Sequence, residues 1–281
     1  RFIFYDEEGK SHIVSKTENL PKNLESKNFN IAKEEINSDK PISSVSIIPV
    51  TNTRLGIEVK EKSSSINKDE NGKRIPDLTS KIVSWWNFNT DAQDSIGNNH
   101  GTLTGDAVIT NQELVLDGTG DFVNMGNPQS LQITDDLTIS FWVYPENLDA
   151  ERRNPIHKKY YGEFAITQEP SGQINYYHGP NEGTGQWLGE TWDSIFVEKQ
   201  WLHIAIVRDV SKKNIKLYKD GVDQGPSGAN RGWYDIVESS SPFYVGTGYT
   251  NAYEGKIDEV MFFNNALSSE EIFAIYNDQK K

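Results

Sequence analysis

The residues best suited to chemistry begin with an oxygen-rich run at positions 91–101, DAQDSIGNNHG. A second acidic pair, Asp258 and Glu259, follows late in the chain. Short acidic loops rich in Asn and Gly offer carboxylate and carbonyl oxygens in a flexible arrangement, which suits the oxygen shell of Ca²⁺. The alternative is structural, with Asp94 opening an Asx turn and Asp258 bonding a neighbouring loop. The pattern therefore indicates either a calcium site or two loop-stabilising carboxylates.

Aromatic residues in turn-rich segments form the second candidate group. They are Tyr160, Tyr161, Tyr176, Tyr177, Trp187, Trp192, Trp233, Tyr234, Tyr249 and Tyr253. A sugar ring presents an apolar C–H face that stacks on indole or phenol rings, while nearby polar side chains bind its hydroxyls. The foremost candidates for ligand contact are Trp187, Trp192, Trp233 and Tyr234. The alternative for each is a place in the hydrophobic core.

Motifs for catalysis are missing from the sequence. There is no Glu-x-Asp-x-Glu strand of the kind that supplies paired carboxylates to glycosidases. There is also no Gly-x-Ser-x-Gly elbow, no phosphate-binding loop and no His-Glu-x-x-His. The five histidines are scattered without metal-ligand spacing. We expect no catalytic residue and no enzyme activity.

Composition narrows the classes of partner. A net charge of −13 leaves little basic surface for phosphates, so nucleic acid and anionic membranes are poor candidates. The absence of cysteine excludes disulfides and thiolate metal sites. The sequence contains no run of 18 apolar residues, so it predicts no membrane span. Because the chain starts at Arg1 rather than Met, we expect a mature extracellular or cell-surface protein after signal removal.

Three segments differ in composition. Residues 1–62 predict a small β region, 63–80 form a charged, Ser-rich linker, and 81–281 carry nearly all the glycine and aromatic residues. RFIFYD and SHIVS predict a hairpin, and SSVSIIPV and RLGIEVK predict two more strands, with a short helix over FNIAKEEI.

The first strand raises an assembly hypothesis. Its apolar residues face both sides of the strand, and they are Phe2, Ile3, Phe4 and Tyr5. Such a strand needs burial in a sheet. It pairs either with Ile13 and Val14 in its own hairpin, or with a neighbouring copy of the chain to build a filament.

The third segment alternates with period two and has turn residues every 8 to 15 positions, which predicts an antiparallel sandwich. In LTISFWVYP, Leu137 and every second residue after it should face the core. Asp220-Gly221 predicts a tight hairpin. One helix closes the chain, with Ser268 and Glu271 as a capping box.

Eight segments in sequence order resemble the laminin-G-like, concanavalin A-like jelly-roll family. They are IVSWWNFN, DSIGNNHGTLTGDA, LVLDGTGDFVNMGN, LTISFWVYP, QWLHIAIVRD, IKLYKDGV, FYVGTG and EGKIDEVMFFNNALSSEEI. The resemblance covers residues 82–278. It implies an all-β fold of two packed antiparallel sheets of about 13 strands with one short C-terminal helix, preceded here by the small β region.

The resemblance also implies particular roles. A structural Ca²⁺ in the family corresponds to Asp94 and Asp258 here, with Asn98 and backbone carbonyls between Gly97 and Gly101 completing the shell. Three tryptophans fall on core strand patterns, namely Trp85, Trp142 and Trp201. His203 matches a structural histidine.

These expectations favour a non-catalytic surface protein. The first hypothesis is an adhesin or carbohydrate-binding module that binds a glycan or another cell-surface ligand. The second is a structural subunit of an extracellular filament, polymerised with copies of itself through the N-terminal strand and displaying the sandwich. The two hypotheses are compatible.

Overall fold

The computed structural model describes the backbone of residues 2–6, 11–14 and 42–47, and in full residues 78, 80–148, 151–180, 186–228, 233–279 and 281. The chain divides into two compact units, Arg1–Ile66 and Asn67–Lys281. The predicted helix FNIAKEEI, the strand RLGIEVK and nearly all of the linker at 63–80 lie outside the described residues. The predicted boundaries at 62 and 80 therefore stay predictions.

The first unit contains a three-stranded antiparallel sheet of β1 (Phe2–Asp6), β2 (Ser11–Val14) and β3 (Ile42–Ile47). Strand β1 is central, because it pairs with β2 on one edge and β3 on the other. The predicted hairpin is confirmed, with Ile3 opposite Ile13.

The described residues of the second unit contain fifteen strands, close to the expected thirteen. In chain order they are β4 (Ile82–Trp86), β5 (Thr102–Thr104), β6 (Val108–Thr110), β7 (Glu113–Asp117), β8 (Phe122–Asn124), β9 (Leu137–Pro145), β10 (Arg153–Lys159), β11 (Phe164–Gln168), β12 (Ile174–His178), β13 (Leu188–Trp192), β14 (Leu202–Asp209), β15 (Asn214–Lys219), β16 (Val222–Asp223), β17 (Tyr244–Val245) and β18 (Glu254–Phe263). Helix α1 (Ser269–Gln279) follows, and short 3₁₀ turns lie at Gln129–Leu131 and Pro170–Gly172.

These strands form two antiparallel sheets, which confirms the predicted sandwich. The seven-stranded sheet has the order β13-β12-β11-β10-β17-β8-β5. The eight-stranded sheet has the order β16-β15-β14-β9-β18-β7-β6, and β4 also pairs with β18. The core lies between the sheets, where Phe164 of one sheet meets Phe262 of the other at 5.6 Å between ring centroids.

Strand β9 shows how the period-two pattern sets the two faces. Its alternate apolar residues all join the core, and they are Leu137, Ile139, Phe141 and Val143. Its other residues point to the outer face, where Ser140 and Trp142 are also buried. The Asp220-Gly221 hairpin is confirmed too, because both residues have positive φ, 50° and 76°, as a primed turn requires.

Helix α1 covers the outer face of the eight-stranded sheet. Its capping box is confirmed, since the Ser268 backbone N–H donates to Glu271 at 2.8 Å and the Glu271 backbone N–H donates to the Ser268 hydroxyl at 3.3 Å. Tyr276 stacks on Trp142 of β9 at 5.8 Å and lies 5.7 Å from the ring of His203 of β14. The outer face of this sheet is therefore closed at these residues.

Candidate functional site

Five aromatic side chains meet on the outer face of the seven-stranded sheet. This aromatic patch comprises Tyr160, Tyr161, Tyr177, Trp187 and Tyr249. Tyr160 is its centre, because its ring lies 4.6 to 5.5 Å from the other four rings. Tyr249 is 40% exposed, and the patch is part-buried elsewhere.

The sheet register creates room for the patch. Tyr177 of β12 points away from the core, between Ala165 of β11 and Gly189 of β13. A Cβ on Gly189 would lie 3.0 Å from the Tyr177 ring, so a larger residue would crowd that ring. Small neighbours on both sides therefore let the ring lie across the sheet.

A buried ion pair fixes the turn that carries Tyr160 and Tyr161. Lys158 Nζ lies 3.1 Å from Glu163 Oε1, and both side chains are fully buried. Glu163 also accepts hydrogen bonds from the backbone N–H and hydroxyl of Ser239 at 3.0 and 2.8 Å. The two ends of the β10–β11 turn are thus held together, which limits the motion of the tyrosines between them.

Arg152 links the patch by hydrogen bonds to Glu169, which directly follows strand β11. Its Nη2 donates to the hydroxyls of Tyr177 and Tyr249, at 3.1 Å each. Its Nε donates to both oxygens of Glu169, at 2.9 and 2.7 Å. Burial raises the pKa of the Tyr249 phenol above its usual value, so Tyr249 stays neutral. The patch therefore presents the neutral Tyr249 phenol beside a guanidinium whose charge is balanced by Glu169.

Beneath the patch lie polar atoms that have no partner. His157 of β10 is 7% exposed, and neither of its ring nitrogens forms a hydrogen bond within the described structure. Burial, aided by the charge of Lys159, lowers the pKa of His157 to about 4. Asn175 donates to the Tyr177 hydroxyl at 2.7 Å, but its Oδ1 is likewise buried and unpartnered. Because buried polar groups are normally hydrogen-bonded, these atoms have hydrogen-bonding capacity that the described residues leave unmet.

Comparison with known proteins identifies the family. Residues 117–273 match the family model Laminin_G_3, described as the concanavalin A-like lectin/glucanases superfamily, and that match covers more than half of the chain. The chain belongs to this superfamily. A search of curated proteins found no match.

Solved structures share the concanavalin A-like fold at low sequence identity. Domain 4 of AbnA, an extracellular arabinanase from Geobacillus stearothermophilus solved with arabinotriose, is 22% identical with a TM-score of 0.54, over 70% of this chain and 98% of that one. The receptor binding domain of botulinum neurotoxin C/D mosaic serotype is 16% identical with a TM-score of 0.60, over 72% and 52%. Trypanosoma rangeli sialidase is 14% identical with a TM-score of 0.56, over 75% and 35%. The chain thus matches only part of the neurotoxin domain and the sialidase.

The four ligand contacts predicted from the sequence do not come together in this concanavalin A-like sandwich. Trp187 lies in the aromatic patch. Trp192 is 4% exposed and belongs to the core, which leaves little of it for stacking. Trp233 and Tyr234 pack against the core, and the Trp233 ring lies 4.8 Å from that of His178. Trp187 is therefore the one of the four that joins the other exposed rings.

Asp94 is held by its own loop. Its carboxylate accepts backbone N–H bonds from Trp85 and Ile96 through Oδ1 and from Asn99 through Oδ2, at 3.0 to 3.1 Å. Asn98 is exposed. This arrangement has the form of the Asx turn that the sequence left open.

Asp258 is held by another set of groups. Its carboxylate accepts a hydrogen bond from the Glu259 backbone N–H at 2.8 Å. It also forms an ion pair with the Lys281 ammonium, which lies where a metal cation would have to bind. Burial raises the pKa of Asp258 to about 6, against the opposing charge of Lys281. Across the part of the chain that the structure describes, neither Asp94 nor Asp258 belongs to a group of three side chains close enough to share an ion. Protein donors already engage both carboxylates, and calcium at these residues stays a prediction.

The predicted assembly residues Phe2, Ile3, Phe4 and Tyr5 lie on β1. Both edges of β1 are already hydrogen-bonded within the chain, to β2 and β3. Donation of β1 to a neighbouring copy would first require one of these pairings to open. Polymerisation through β1 remains a prediction.

Two further observations concern catalysis and membranes. Glu169, the carboxylate beside the patch, is bonded by Arg152 and by the Thr167 hydroxyl, so its oxygens are engaged in the fold. Over the described residues, no helix is long and apolar enough to cross a membrane.

Proposed function

We propose that this chain is a non-catalytic, extracellular carbohydrate-binding protein that binds glycans through the aromatic patch. The observation that carries the proposal is the meeting of five aromatic rings over unpartnered polar atoms on one open sheet face. Such a surface combines the two features that a sugar requires, an apolar platform and convergent hydrogen-bonding groups.

The stacking part of the site is supplied by Trp187, Tyr160 and Tyr249. Their rings are neighbours, with Tyr160 lying 5.5 Å from Trp187 and 4.7 Å from Tyr249. Ring-to-ring packing fixes their orientation before a ligand arrives, so little side-chain entropy is lost on binding.

The polar part is supplied by His157 and Asn175. A sugar hydroxyl can both donate and accept, so it can satisfy a neutral imidazole nitrogen or the Asn175 carbonyl oxygen. The pKa of His157, lowered to about 4 by burial, keeps the imidazole neutral at physiological pH. The site is therefore suited to uncharged hydroxyl groups.

The solved structures of the same fold support this proposal. The arabinanase domain was solved in complex with arabinotriose. One study of botulinum neurotoxin type C describes dependence of cell entry on two ganglioside molecules. These ligands make arabino-oligosaccharides and ganglioside oligosaccharides the first probes to use.

A binding role without hydrolysis agrees with the chemistry of the patch. Glycoside hydrolysis uses two carboxyl groups flanking the scissile bond. Glu169 is instead engaged by Arg152 and Thr167, as a positioning group for the tyrosine hydroxyls. We expect no release of reducing sugar from any glycan that the chain retains.

The test is retention of the whole chain on an immobilised glycan panel that contains arabinotriose and ganglioside oligosaccharides. We expect at least one glycan to retain the chain, and Trp187→Ala to abolish that retention. Trp233→Ala is the matched control, because it removes the same side chain from outside the patch. No retention on any glycan, or equal loss in both variants, would refute the proposal.

A further inference from the structure

Three aspartates converge where two loops of the sandwich meet. Asp106 lies between β5 and β6, Asp117 ends β7, and Asp121 lies just before β8. One carboxylate oxygen from each aspartate lies within 4.8 Å of the chosen oxygens of the other two. Asp106 and Asp117 are exposed, whereas Asp121 is 1% exposed.

Close contact between the two loops brings the three side chains together. A Cβ on Gly105 would lie 2.5 Å from the carbonyl oxygen of Gly120, so the backbones touch where both glycines have positive φ, 70° and 76°. Asp121 Oδ2 accepts the backbone N–H of Asp117 at 2.6 Å, which aims the buried carboxylate toward the other two.

The second observation is an unsatisfied atom. Asp121 Oδ1 is buried and forms no hydrogen bond within the described part of the chain. No ion pair found among those residues involves any of the three aspartates. A buried carboxylate oxygen without a donor is costly unless something positive occupies the space beside it.

We propose that Asp106, Asp117 and Asp121 form a binding site for one divalent cation of the Ca²⁺ class. Calcium–oxygen distances of about 2.3 to 2.6 Å place opposite ligands roughly 5 Å apart, which accommodates oxygens within 4.8 Å of one another. Two of the three carboxylates lie on exposed loops, and Ca²⁺ tolerates such flexible geometry better than Mg²⁺ does.

The site is separate from the calcium ligands predicted from the sequence. Asp94 and Asp258 are each bonded to protein donors, whereas Asp121 Oδ1 is not. The cation would join the turn after β5 to the end of β7. Binding should therefore stabilise the sandwich, and the added free energy of unfolding should rise with the logarithm of the cation concentration above the dissociation constant.

The test is calorimetric titration of CaCl₂ into the whole chain after removal of metal on a chelating resin. We expect one ion per chain, with a dissociation constant of about 0.1 to 1 mM, the range of extracellular calcium modules. Asp106→Asn and Asp117→Asn should each raise this constant at least tenfold. Both residues are exposed and each substitution removes one of three neighbouring negative charges, so we expect the metal-free melting temperature not to fall.

Two control variants make the result decisive. Asp235→Asn removes one exposed negative charge elsewhere and should leave calcium affinity unchanged. Asp94→Asn tests the sequence-predicted site and should also leave it unchanged. No binding up to about 10 mM CaCl₂, well above the weakest affinity of such modules, would overturn the proposal. A loss of calcium affinity in Asp94→Asn alone would also overturn the proposal. An equal loss of calcium affinity in Asp106→Asn and Asp235→Asn would do the same.

Discussion

The two outer faces of the sandwich differ in what covers them. On the eight-stranded sheet, Trp142 lies under Tyr276 of α1 and is 3% exposed. On the seven-stranded sheet, Tyr177 lies under rings from turns and loops, and Tyr249 remains 40% exposed. One face is closed by regular structure, and the other is covered by side chains that a ligand can reach.

The buried histidines of the two faces show the same difference. His203 bonds the Ser140 hydroxyl through Nε2 at 2.8 Å and leaves only Nδ1 without a partner among the described residues, whereas both nitrogens of His157 are unpartnered there. Burial lowers the pKa of both imidazoles, to about 3 for His203 and about 4 for His157. The hydrogen bond under the helix serves stability, while the imidazole under the open patch keeps its full hydrogen-bonding capacity unmet. Substitutions on the two faces should therefore separate stability from binding.

The largest effect is expected on the closed face. Trp142→Ala leaves a cavity beneath Tyr276 and should lower the free energy of unfolding by about 3 to 5 kcal/mol, measured by urea denaturation. The fraction that remains folded should bind glycan with unchanged affinity. A loss of affinity in that folded fraction would contradict the separation of the two faces.

On the open face, Tyr160→Ala should act on binding. Tyr160 contacts all four other rings of the patch, so its removal should weaken glycan affinity about 30-fold, or roughly 2 kcal/mol. The measurement is calorimetric titration with a retained glycan. Phe273→Ala removes a 47%-exposed ring from α1 and is the control. If Phe273→Ala weakens binding as much as Tyr160→Ala does, the patch is not the binding surface.

The two histidines provide a smaller, matched comparison. His203→Phe strands the Ser140 hydroxyl and should lower the free energy of unfolding by about 1 to 3 kcal/mol, without affecting binding. His157→Phe breaks no hydrogen bond, so it should change the free energy of unfolding by less than about 1 kcal/mol and weaken glycan binding about tenfold. Equal changes in unfolding free energy and in glycan affinity for the two variants would show that the two faces do not separate stability from binding.

The last effect concerns pH. Burial lowers the pKa of His203 to about 3 in the folded state, whereas its value in the unfolded state is near 6.5. Between these pH values the unfolded state therefore binds a proton at His203 that the native state does not bind. As the pH falls below 6.5, His203 therefore lowers the free energy of unfolding of the wild type by about 1.4 kcal/mol per pH unit. The gap in unfolding free energy between wild type and His203→Phe should narrow from pH 7 to pH 5. A constant gap would show that the imidazole titrates normally in the fold.

The fold was predictable because its signals are local. The alternation through Leu137 and Phe141, the capping box at Ser268 and the Asp220-Gly221 turn each depend on nearby residues, and the structure confirms all three. The family resemblance then supplied the order of the strands.

The site was less predictable because it depends on pairing between distant segments. All five patch residues are among the aromatic candidates of the sequence, but Trp192, one of the four put first, is in the core. Alternation in INYYH does place Tyr176 inward and Tyr177 outward, so that part of the signal was present. Nothing local joins Arg152 to Tyr249, or shows that His157 lacks a partner.

The most direct test of the central claim is hydrogen–deuterium exchange of the whole chain with and without a retained glycan, starting with arabinotriose. The account predicts slower exchange in segments 157–161, 175–177, 187–191 and 247–251, and no change in α1 or its underlying strands β9 and β14. Protection confined to α1 and those strands would contradict the assignment of the binding face.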